Sequence, residues 1–252
     1  MNKYCDTSKL IVREVTKAIA KKMVIKHHYS HLWTKCSVAL GLFHDTGKQH
    51  MFFSGNQEDL IGVIVYGDPI GRYSGGSVSE LLDRTDVYEL VRLYIHDGYG
   101  SNIESWFISQ SFKWLRKHAP KIKVLVSYAD PDQNHSGFVY QATNWLYQGS
   151  GAFQMAPTFS LKLNEEDEWM HSRNVYGRWG SSNVEHLKKK IGHTFWLKKE
   201  AEKHRYIYFL GSKKEKKLFM SNIKHKLFPY PKDTNYKAEI TKVEVTKGIF
   251  DE

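Results

Sequence analysis

The stretch from residue 124 to residue 149 constrains the fold more than any other part of the chain. It starts with an apolar run at residues 124–126, which is typical of a strand buried on both faces of a sheet. A polar turn containing Pro131 follows, and an apolar stripe at helical spacing then predicts a helix over residues 136–148 that ends at Gly149. Ligands often bind where a buried strand ends, so we expect the polar side chains after this strand to carry function.

The whole chain has the size and composition of a folded protein. Its 252 residues, 41% of them hydrophobic, suffice for one compact unit with a basic tail. Apolar runs are too short to span a bilayer, and residues 11–20 are broken by charges, so we expect a cytoplasmic protein with no membrane partner. Cys5 and Cys36 are too few and too far apart for a zinc knuckle or a disulfide framework, and both are predicted to be reduced thiols.

The net charge of +10 indicates a polyanionic partner. The excess of lysine and arginine is concentrated after residue 187, where aromatic side chains that can stack on exposed bases lie among the cations. Lysine runs are also common on solvated helix faces, which is the competing interpretation. The aromatic residues favour nucleic-acid binding.

The order of the elements, β, α, β and α, predicts an α/β (α+β) protein. We expect a core over residues 1–180 and a basic, aromatic C-terminal extension over residues 181–252 that packs on the core and contacts DNA. The predicted elements are helices at 14–26, 105–118 and 136–148, strands at 38–43, 60–66, 88–95, 123–129, 153–163, 169–175 and 206–210, helical structure in the second half of 182–202, a basic helix or loop at 213–226, and a flexible loop at 71–79.

Several dispersed segments together resemble the Mom family of bacteriophage DNA-modification proteins, a group within the GNAT-like acyltransferase superfamily. The likeness spans roughly residues 20–232, and several motifs in one order are harder to meet by chance than one tripeptide. The segments are His28-Tyr29-Ser30, Glu89-Leu90-Val91-Arg92-Leu93, Ser127-Tyr128-Ala129-Asp130, Gly137-Phe138-Val139-Tyr140-Gln141-Ala142, Tyr147-Gln148-Gly149, Lys203-His204-Arg205-Tyr206 and Pro229-Tyr230-Pro231-Lys232.

This resemblance implies a GNAT-like fold with a mixed central sheet flanked by helices. It also implies an enzyme that converts adenine in double-stranded phage DNA to N6-carbamoylmethyladenine, which protects the DNA from host restriction. It also raises the question of the donor. A GNAT chain holds the pyrophosphate of acyl-CoA on a glycine-rich loop, and the corresponding residues 96–105 here keep glycines but add Asp97 and Glu104. Because a carbamoylmethyl group is an isomer of a glycyl group, glycyl-tRNA is a second candidate donor, which would make tRNA a partner.

Two residues are the main candidates for the chemistry. Asp130 is predicted to accept a proton from the adenine amino group or to hydrogen-bond to it, although an Asp before Pro also often caps a turn. Tyr147 matches the GNAT tyrosine near the leaving group, and core packing is its alternative role. Ser127 and Tyr140 are predicted to orient the donor or the base by hydrogen bonds.

Other residues are assigned to the base pocket and to a metal. His28, Tyr29 and Ser30 follow a helix and are predicted to line the base pocket together with Glu89 and Arg92. On the strand over residues 88–95, Glu89 and Arg92 are three apart and therefore point to opposite sides. His28 and His31 are possible ligands of iron or another metal, but histidines at a helix end also interact favourably with its dipole.

Contact with DNA is predicted for Arg205 and Lys232 through phosphates and for Tyr206 and Tyr230 through stacking. Reaching the N6 atom requires the target adenine to leave the base stack. Two other functions compete with DNA modification. One is a basic DNA-binding accessory protein with an inactive GNAT-like core, and the other is an acyltransferase that acts on a protein or a small molecule.

Overall fold

A computed structural model of the chain describes residues 6–49, 56–69, 75–150, 158–232 and 237–245. The chain divides into two compact units. Unit 1 comprises Met1–Tyr128, Gly137–Gly149 and Arg205–Tyr230, and unit 2 comprises Ala129–Ser136, Ser150–His204 and Pro231–Glu252. The sequence placed the boundary near residue 180, but the residues beyond that point are shared between the two units.

Unit 1 is built on a seven-stranded sheet in the order β1-β2-β3-β4-β5-β9-β6. Neighbours from β1 to β4 are antiparallel, and β4 and β5 are parallel. Its elements are β1 (Leu10–Glu14), α1 (Lys17–His27), β2 (Val38–Gln49), β3 (Asn56–Gly67), β4 (Val87–Ile95), α2 (Ile103–His118), β5 (Val124–Ala129), α3 (Phe138–Gln141), β6 (Leu146–Ser150), β9 (His204–Phe209) and α6 (Lys213–Ser221). Strand β9 therefore brings a segment of the predicted C-terminal extension into the interior of the sheet.

The sheet of unit 1 is covered on both faces. Val63, Ile64 and Val65 are consecutive in β3 and all are fully buried, which a strand achieves only when both faces are packed. Helix α1 packs on the Val63 and Val65 side. On the other side the Tyr66 hydroxyl lies 2.6 Å from the Ser111 hydroxyl of α2.

Unit 2 is built on a three-stranded sheet in the order β10-β8-β7, with antiparallel neighbours. Its elements are β7 (Phe159–Lys162), α4 (Ser172–Trp179), α5 (Val184–Ile191), β8 (Phe195–Lys199) and β10 (Ile240–Val243). One face of this sheet contributes Leu161, Phe195, Leu197 and Val243 to a core that also contains side chains of α4 and α5. Both units thus combine sheet and helix, and the predicted α/β class with a mixed central sheet is confirmed.

The strands predicted at 38–43, 60–66, 88–95, 123–129 and 206–210 and the helices predicted at 14–26 and 105–118 are present, with shifted ends. The helix predicted over residues 136–148 is wrong. Helix α3 stops at Gln141, Asn144 has a left-handed φ of 60°, and the chain then enters β6. The assumed apolar stripe is not buried as a stripe, because Phe138 is 59% exposed whereas Trp145 is buried in the sheet core.

Two predictions in unit 2 are also wrong. Residues 169–175 were predicted as a strand, but only Met170 forms a bridge, to Leu161, before α4 starts at Ser172. The cause is a long-range contact, since the Glu200 carboxylate accepts hydrogen bonds from the backbone N–H and the hydroxyl of Ser172, both at 3.0 Å. Between residues 182 and 202 the helix occupies the first half, ends at Gly192 with φ 74°, and is followed by β8.

Parts of the predicted loop at 71–79 and of the predicted strand at 153–163, namely residues 71–74 and 153–157, lie outside the described residues, as does Cys5. Cys36 is a free thiol. In the described part of the chain, every helix is too short or too polar to cross a bilayer.

Candidate active site

Strands β4 and β5 diverge inside unit 1. Their parallel register pairs Val87 with Val124 and continues to Glu89 with Val126, where it ends. Strand β4 nevertheless runs on to Ile95, and β5 runs on to Ala129. The carboxyl halves of two adjacent parallel strands therefore separate, and this is where α/β sheets bind ligands.

Ser127 on β5 contacts β4 at the start of this opening, and Tyr140 of α3 is hydrogen-bonded to Ser127. The buried Ser127 hydroxyl lies 2.9 Å from the carbonyl oxygen of Leu90 on β4 and 2.8 Å from the phenol oxygen of Tyr140. A serine hydroxyl has one proton and a carbonyl oxygen only accepts, so both bonds coexist when Tyr140 donates to Ser127 and Ser127 donates to Leu90. The sequence assigned Ser127 and Tyr140 to the site, and the structure brings them together.

Tyr140 is a neutral phenol at physiological pH. Burial raises its pKa to about 12, the hydrogen bond with Ser127 lowers it in part, and the nearby Tyr29 and Glu89 side chains raise it. The ring packs against Trp145 and Tyr206, with centroid separations of 5.1 and 5.2 Å. The oxygen of Tyr140 can therefore donate or accept a hydrogen bond but does not act as an anionic base.

Glu89 is the last residue of β4 that pairs with β5, and its carboxylate interacts with several charged and phenolic groups around the opening. Burial lowers the pKa values of the Arg92 and Arg205 guanidinium groups, and the Glu89 carboxylate acts on both in the opposite direction. For the Tyr128 phenol, burial raises the pKa, Arg205 lowers it and Glu89 raises it. One carboxylate thus interacts with two arginines and with the phenols of Tyr128 and Tyr140.

Tyr29 and Arg92 belong to the same neighbourhood. The Arg92 Nε donates to the carbonyl oxygen of Leu32 at 3.2 Å, which ties the segment after α1 to β4. Tyr29 is 57% exposed, its ring lies 4.3 Å from that of His28, and its charge interaction reaches both Arg92 and Tyr140. The predicted base-pocket residues on these two segments are therefore close to the Ser127 and Tyr140 pair.

His28 and His31 have protein partners rather than the geometry of a metal pair. The Nδ1 atom of the buried His28 accepts from the Ser30 backbone N–H at 3.1 Å and lies 2.9 Å from the Ser30 hydroxyl. The Nδ1 atom of His31 lies 2.9 Å from the carbonyl oxygen of Ile25, so this nitrogen carries a proton. Within the described ranges, His, Cys, Asp and Glu side chains form no group of three or more that could hold a metal ion.

Tyr147 lies on strand β6, whereas the sequence predicted a helix at this position. Its buried ring packs 5.1 Å from that of Tyr206, and its carbonyl oxygen accepts from the Phe228 backbone N–H at 3.0 Å. Asp130 belongs to unit 2, where it accepts from the Asp132 backbone N–H at 3.0 Å and pairs with Lys203 at 3.1 Å. Asp130 thus has the turn-capping role that was the alternative from the sequence.

The predicted DNA contacts of Arg205 and Tyr206 need correction. Arg205 is 1% exposed and its Nη2 donates to the Ser77 hydroxyl at 2.7 Å, while Tyr206 is fully buried and accepts from the Gln141 side-chain amide at 3.1 Å. Both lie on β9, whose inclusion in the sheet interior removes them from the surface. Lys232 and Tyr230 are exposed, the latter at 39%, with the Tyr230 hydroxyl donating to the Trp145 carbonyl oxygen at 2.7 Å.

The loop between β4 and α2 has the backbone of an anion-binding nest. Gly98, Gly100 and Asn102 have φ values of 96°, 97° and 68°, and the residues between them are not in the positive-φ region. Such alternation turns successive N–H groups toward one side, here just before the first turn of the 16-residue helix α2. This backbone conformation is one that can present N–H groups to a phosphate, whereas the charges of Asp97 and Glu104 reduce the attraction for an anion.

Residues 9–232 match the Mom protein family. The chain belongs to the Mom family. It is 30% identical over 233 residues to the methylcarbamoylase Mom of Escherichia phage Mu, an alignment that covers 90% of this chain and 85% of the phage protein.

Solved structures similar to this Mom-family chain are acetyltransferases of low sequence identity. The spermidine/spermine N-acetyltransferase SpeG from Vibrio cholerae has a TM-score of 0.43 at 8% identity, with 85% of this chain and 98% of that chain covered. NAA60 from Arabidopsis thaliana in complex with acetyl-CoA has a TM-score of 0.44 at 10% identity, with 79% and 99% covered.

Two features of this Mom-family site were missed from the sequence. Arg205 was placed at the DNA surface, whereas its charge interacts with Glu89 and Tyr128 inside unit 1. Tyr128 was not singled out as a site residue, although it directly follows Ser127 at the end of β5. The position of Tyr128 near a strand end was the signal that could have identified it. The pairing of β9 next to β5, which places Arg205 in this region, could not be predicted from local sequence, because Arg205 lies 77 residues after Tyr128.

Proposed function

We propose that this chain is a transferase that modifies the N6 amino group of adenine in DNA and forms N6-carbamoylmethyladenine, which protects phage DNA from host restriction. Membership of the Mom family, with a relative named a methylcarbamoylase, supports the reaction class. The observation that carries the proposal is the opening between β4 and β5, where Glu89, Ser127 and Tyr140 place a carboxylate and two hydroxyl groups together.

The adenine amino group is a poor nucleophile, because its lone pair is delocalised into the ring, so the site has to position it and remove a proton. The Glu89 carboxylate is suited to accept that proton as the new bond forms. Tyr140 keeps its proton and donates to Ser127, so its oxygen can accept a hydrogen bond from the amino group. The exposed ring of Tyr29 is available to stack on the extruded base.

Asp130 and Tyr147 remain predictions for proton acceptance and for protonation of the leaving group. The cap and the ion pair of Asp130 in unit 2 and the packing of Tyr147 against Tyr206 supply structural roles for both. Asp130→Ala and Tyr147→Phe distinguish a structural role from a catalytic one. A structural role predicts a lower free energy of unfolding, and a catalytic role predicts less adenine modification at unchanged stability.

The donor remains a separate choice between acyl-CoA and glycyl-tRNA. Acyl transfer to N6 would form an amide bond and release the coenzyme A thiol or the tRNA 3′-hydroxyl. A transferred glycyl group would then have to rearrange to its carbamoylmethyl isomer. On this chain, the backbone N–H groups of the loop at residues 96–102 are suited to hold the phosphates of the donor. Incubating the protein and DNA with radiolabelled acyl-CoA in one reaction and radiolabelled glycyl-tRNA in another distinguishes them by the label that enters DNA.

The test of the function is nucleoside analysis. DNA from bacteria that express this chain is digested to nucleosides and examined by mass spectrometry, and we expect an adenosine species heavier by one carbamoylmethyl substituent. The variant E89Q should reduce this species by roughly 100-fold or more, because general-base contributions are of that order. E80Q is the matched control, since Glu80 is an exposed glutamate of unit 1 that pairs with Lys224 on the surface.

The alternative functions give different results. Unmodified DNA together with salt-sensitive DNA binding supports a DNA-binding accessory protein with an inactive core. Unmodified DNA without binding, with acyl transfer to a protein or a small molecule, supports the third function.

A further inference from the structure

The three-stranded sheet of unit 2 has two different faces. Leu161, Phe195, Leu197 and Val243 point into the core with α4 and α5. Because side chains alternate along a strand, their neighbours Lys162, Trp196, Lys198 and Lys242 lie on the opposite face. These four side chains are half-buried or exposed, in contrast to the buried set.

The register places a tryptophan between two lysines. Trp196 on the middle strand β8 is directly opposite Lys162 on β7 and Lys242 on β10. The Nζ atoms of these lysines lie 5.8 and 5.6 Å from the centre of the Trp196 ring. One aromatic ring is thus flanked by two cations across the width of the sheet.

A second tryptophan extends the pattern. The ring of Trp169 has the Nζ atoms of Lys162 and Lys198 at 5.2 and 5.7 Å. We call Lys162, Trp169, Trp196, Lys198 and Lys242 the tryptophan–lysine face. Asp132 lies at the long distance of 4.0 Å from Lys198, the Lys162 ammonium group donates to the backbone carbonyl oxygen of Glu165, and in the described part of the chain neither Lys162 nor Lys242 forms a salt bridge.

Cation–π contacts are attractive, but three ammonium groups gathered around two indole rings also repel one another. An anionic ligand removes that repulsion, and a ligand with aromatic groups also uses the indole rings. Nucleic acid offers both, through its phosphates and its bases. In a duplex the faces of the bases are already stacked on each other, so an indole ring is matched by unpaired nucleotides.

We propose that the tryptophan–lysine face binds single-stranded DNA, with a base stacked on Trp196 or Trp169 and the neighbouring phosphates held by Lys162, Lys198 and Lys242. In the cell this ligand is unpaired DNA, and its part in adenine modification rests on the proposed function. The binding itself does not depend on catalysis.

The first test is the fluorescence anisotropy of a labelled single-stranded DNA of about 12 nucleotides with the full-length protein. W196L retains an apolar side chain of the sheet but loses the stacking surface, and we expect affinity to fall roughly tenfold. W196F restores a ring and should recover most of the affinity. Unchanged binding by W196L, with circular dichroism showing an intact fold, would overturn the proposal.

The second test concerns the charges. In the double variant K162A/K242A two phosphate contacts are lost, so the slope of log affinity against log salt should become shallower by about 1.4. K189A/K190A is the matched control, because it removes two exposed lysines of α5 in the same unit. An equal change in slope for both pairs would contradict a specific site.

The affinity for other nucleic acids tests the choice of ligand, and the nucleoside assay separates this proposal from the proposed function. Tighter binding of duplex DNA, or of RNA of the same sequence, than of single-stranded DNA would overturn the choice of ligand. Wild-type protein that binds single-stranded DNA through Trp196 but leaves adenine unmodified would support this face and reject the proposed function. The two proposals therefore fail independently.

Discussion

Two hydroxyl groups act together where β4 and β5 diverge: that of Ser127 on β5 donates to the carbonyl oxygen of Leu90 on β4, and that of Tyr140 on α3 donates to Ser127. Each is buried, so each stabilises the folded state by satisfying its own polar atoms as well as by orienting the site. At the scale of single residues, the structural and catalytic contributions of this pair are therefore combined and have to be separated by substitution.

Ser127→Ala and Tyr140→Phe are expected to affect stability differently but activity alike. S127A leaves the Tyr140 hydroxyl without its partner and should lower the free energy of unfolding by about 1–3 kcal/mol, whereas Y140F retains the Ser127 bond to Leu90 and should cost about 1 kcal/mol. Both should reduce adenine modification by roughly 100-fold. Urea unfolding and nucleoside mass spectrometry measure the two effects.

The control for this pair is Y176F, which removes an exposed tyrosine hydroxyl. It should change neither quantity. Full activity of Y140F at its expected stability would show that Tyr140 is structural only.

At the scale of elements, glycine positions show how local geometry decides the outcome of one substitution. Gly177 lies within helix α4, and an added Cβ there meets nothing within 4 Å. Gly137 precedes α3 with φ 83°, and an added Cβ there would lie 2.4 Å from the Tyr206 ring. The two glycines share a residue type but not a backbone conformation or free space.

Gly177→Ala should therefore raise the free energy of unfolding by about 0.5–1 kcal/mol, since alanine is the better helix former. Gly137→Ala should lower it by roughly 2 kcal/mol or more, because the left-handed φ and the contact with Tyr206 both add strain. Urea unfolding of the two variants beside the wild type measures the difference. Similar shifts in the same direction would contradict this account.

At the scale of the whole molecule, buried phenols make the fold of unit 1 sensitive to alkali. Burial raises the pKa values of Tyr140 and Tyr206 to about 12 and also raises that of Tyr66. In the unfolded chain these groups titrate near their ordinary value of 10. Between those pH values the folded state holds more protons than the unfolded state, so stability falls as the pH rises.

We expect the free energy of unfolding to be insensitive to these groups below about pH 9 and to decrease between about pH 10 and pH 12. Each of Tyr140 and Tyr206 contributes up to about 2–3 kcal/mol to this decrease. Urea unfolding at several pH values, compared between wild type and Y206F, isolates the contribution of one phenol. If the free energy of unfolding of Y206F falls with pH as steeply as that of the wild type, the Tyr206 phenol does not contribute to the alkaline loss of stability.

Much of the candidate site could be named from the sequence. Ser127, Glu89 and Arg92 lie on strands that apolar patterning predicted correctly, because the burial of a strand follows from its own residues. Tyr140 lies on α3, where the predicted helix begins but ends early. Their approach to one another within the opening could not be predicted, since it depends on where the pairing of β4 and β5 ends.

The sequence by itself thus determined the strands and helices whose apolar period is local, the positive net charge and the Mom-family motifs. Only the tertiary structure decided that β9 enters the sheet, which buries Arg205, a residue predicted to contact DNA at the surface. It also decided that Glu200 caps α4 where the sequence predicted a strand. These outcomes depend on contacts between residues far apart in the chain. The propensity of a segment depends only on its own residues and does not include such contacts. Hydrogen bonds and burial in the folded protein outweigh that local preference.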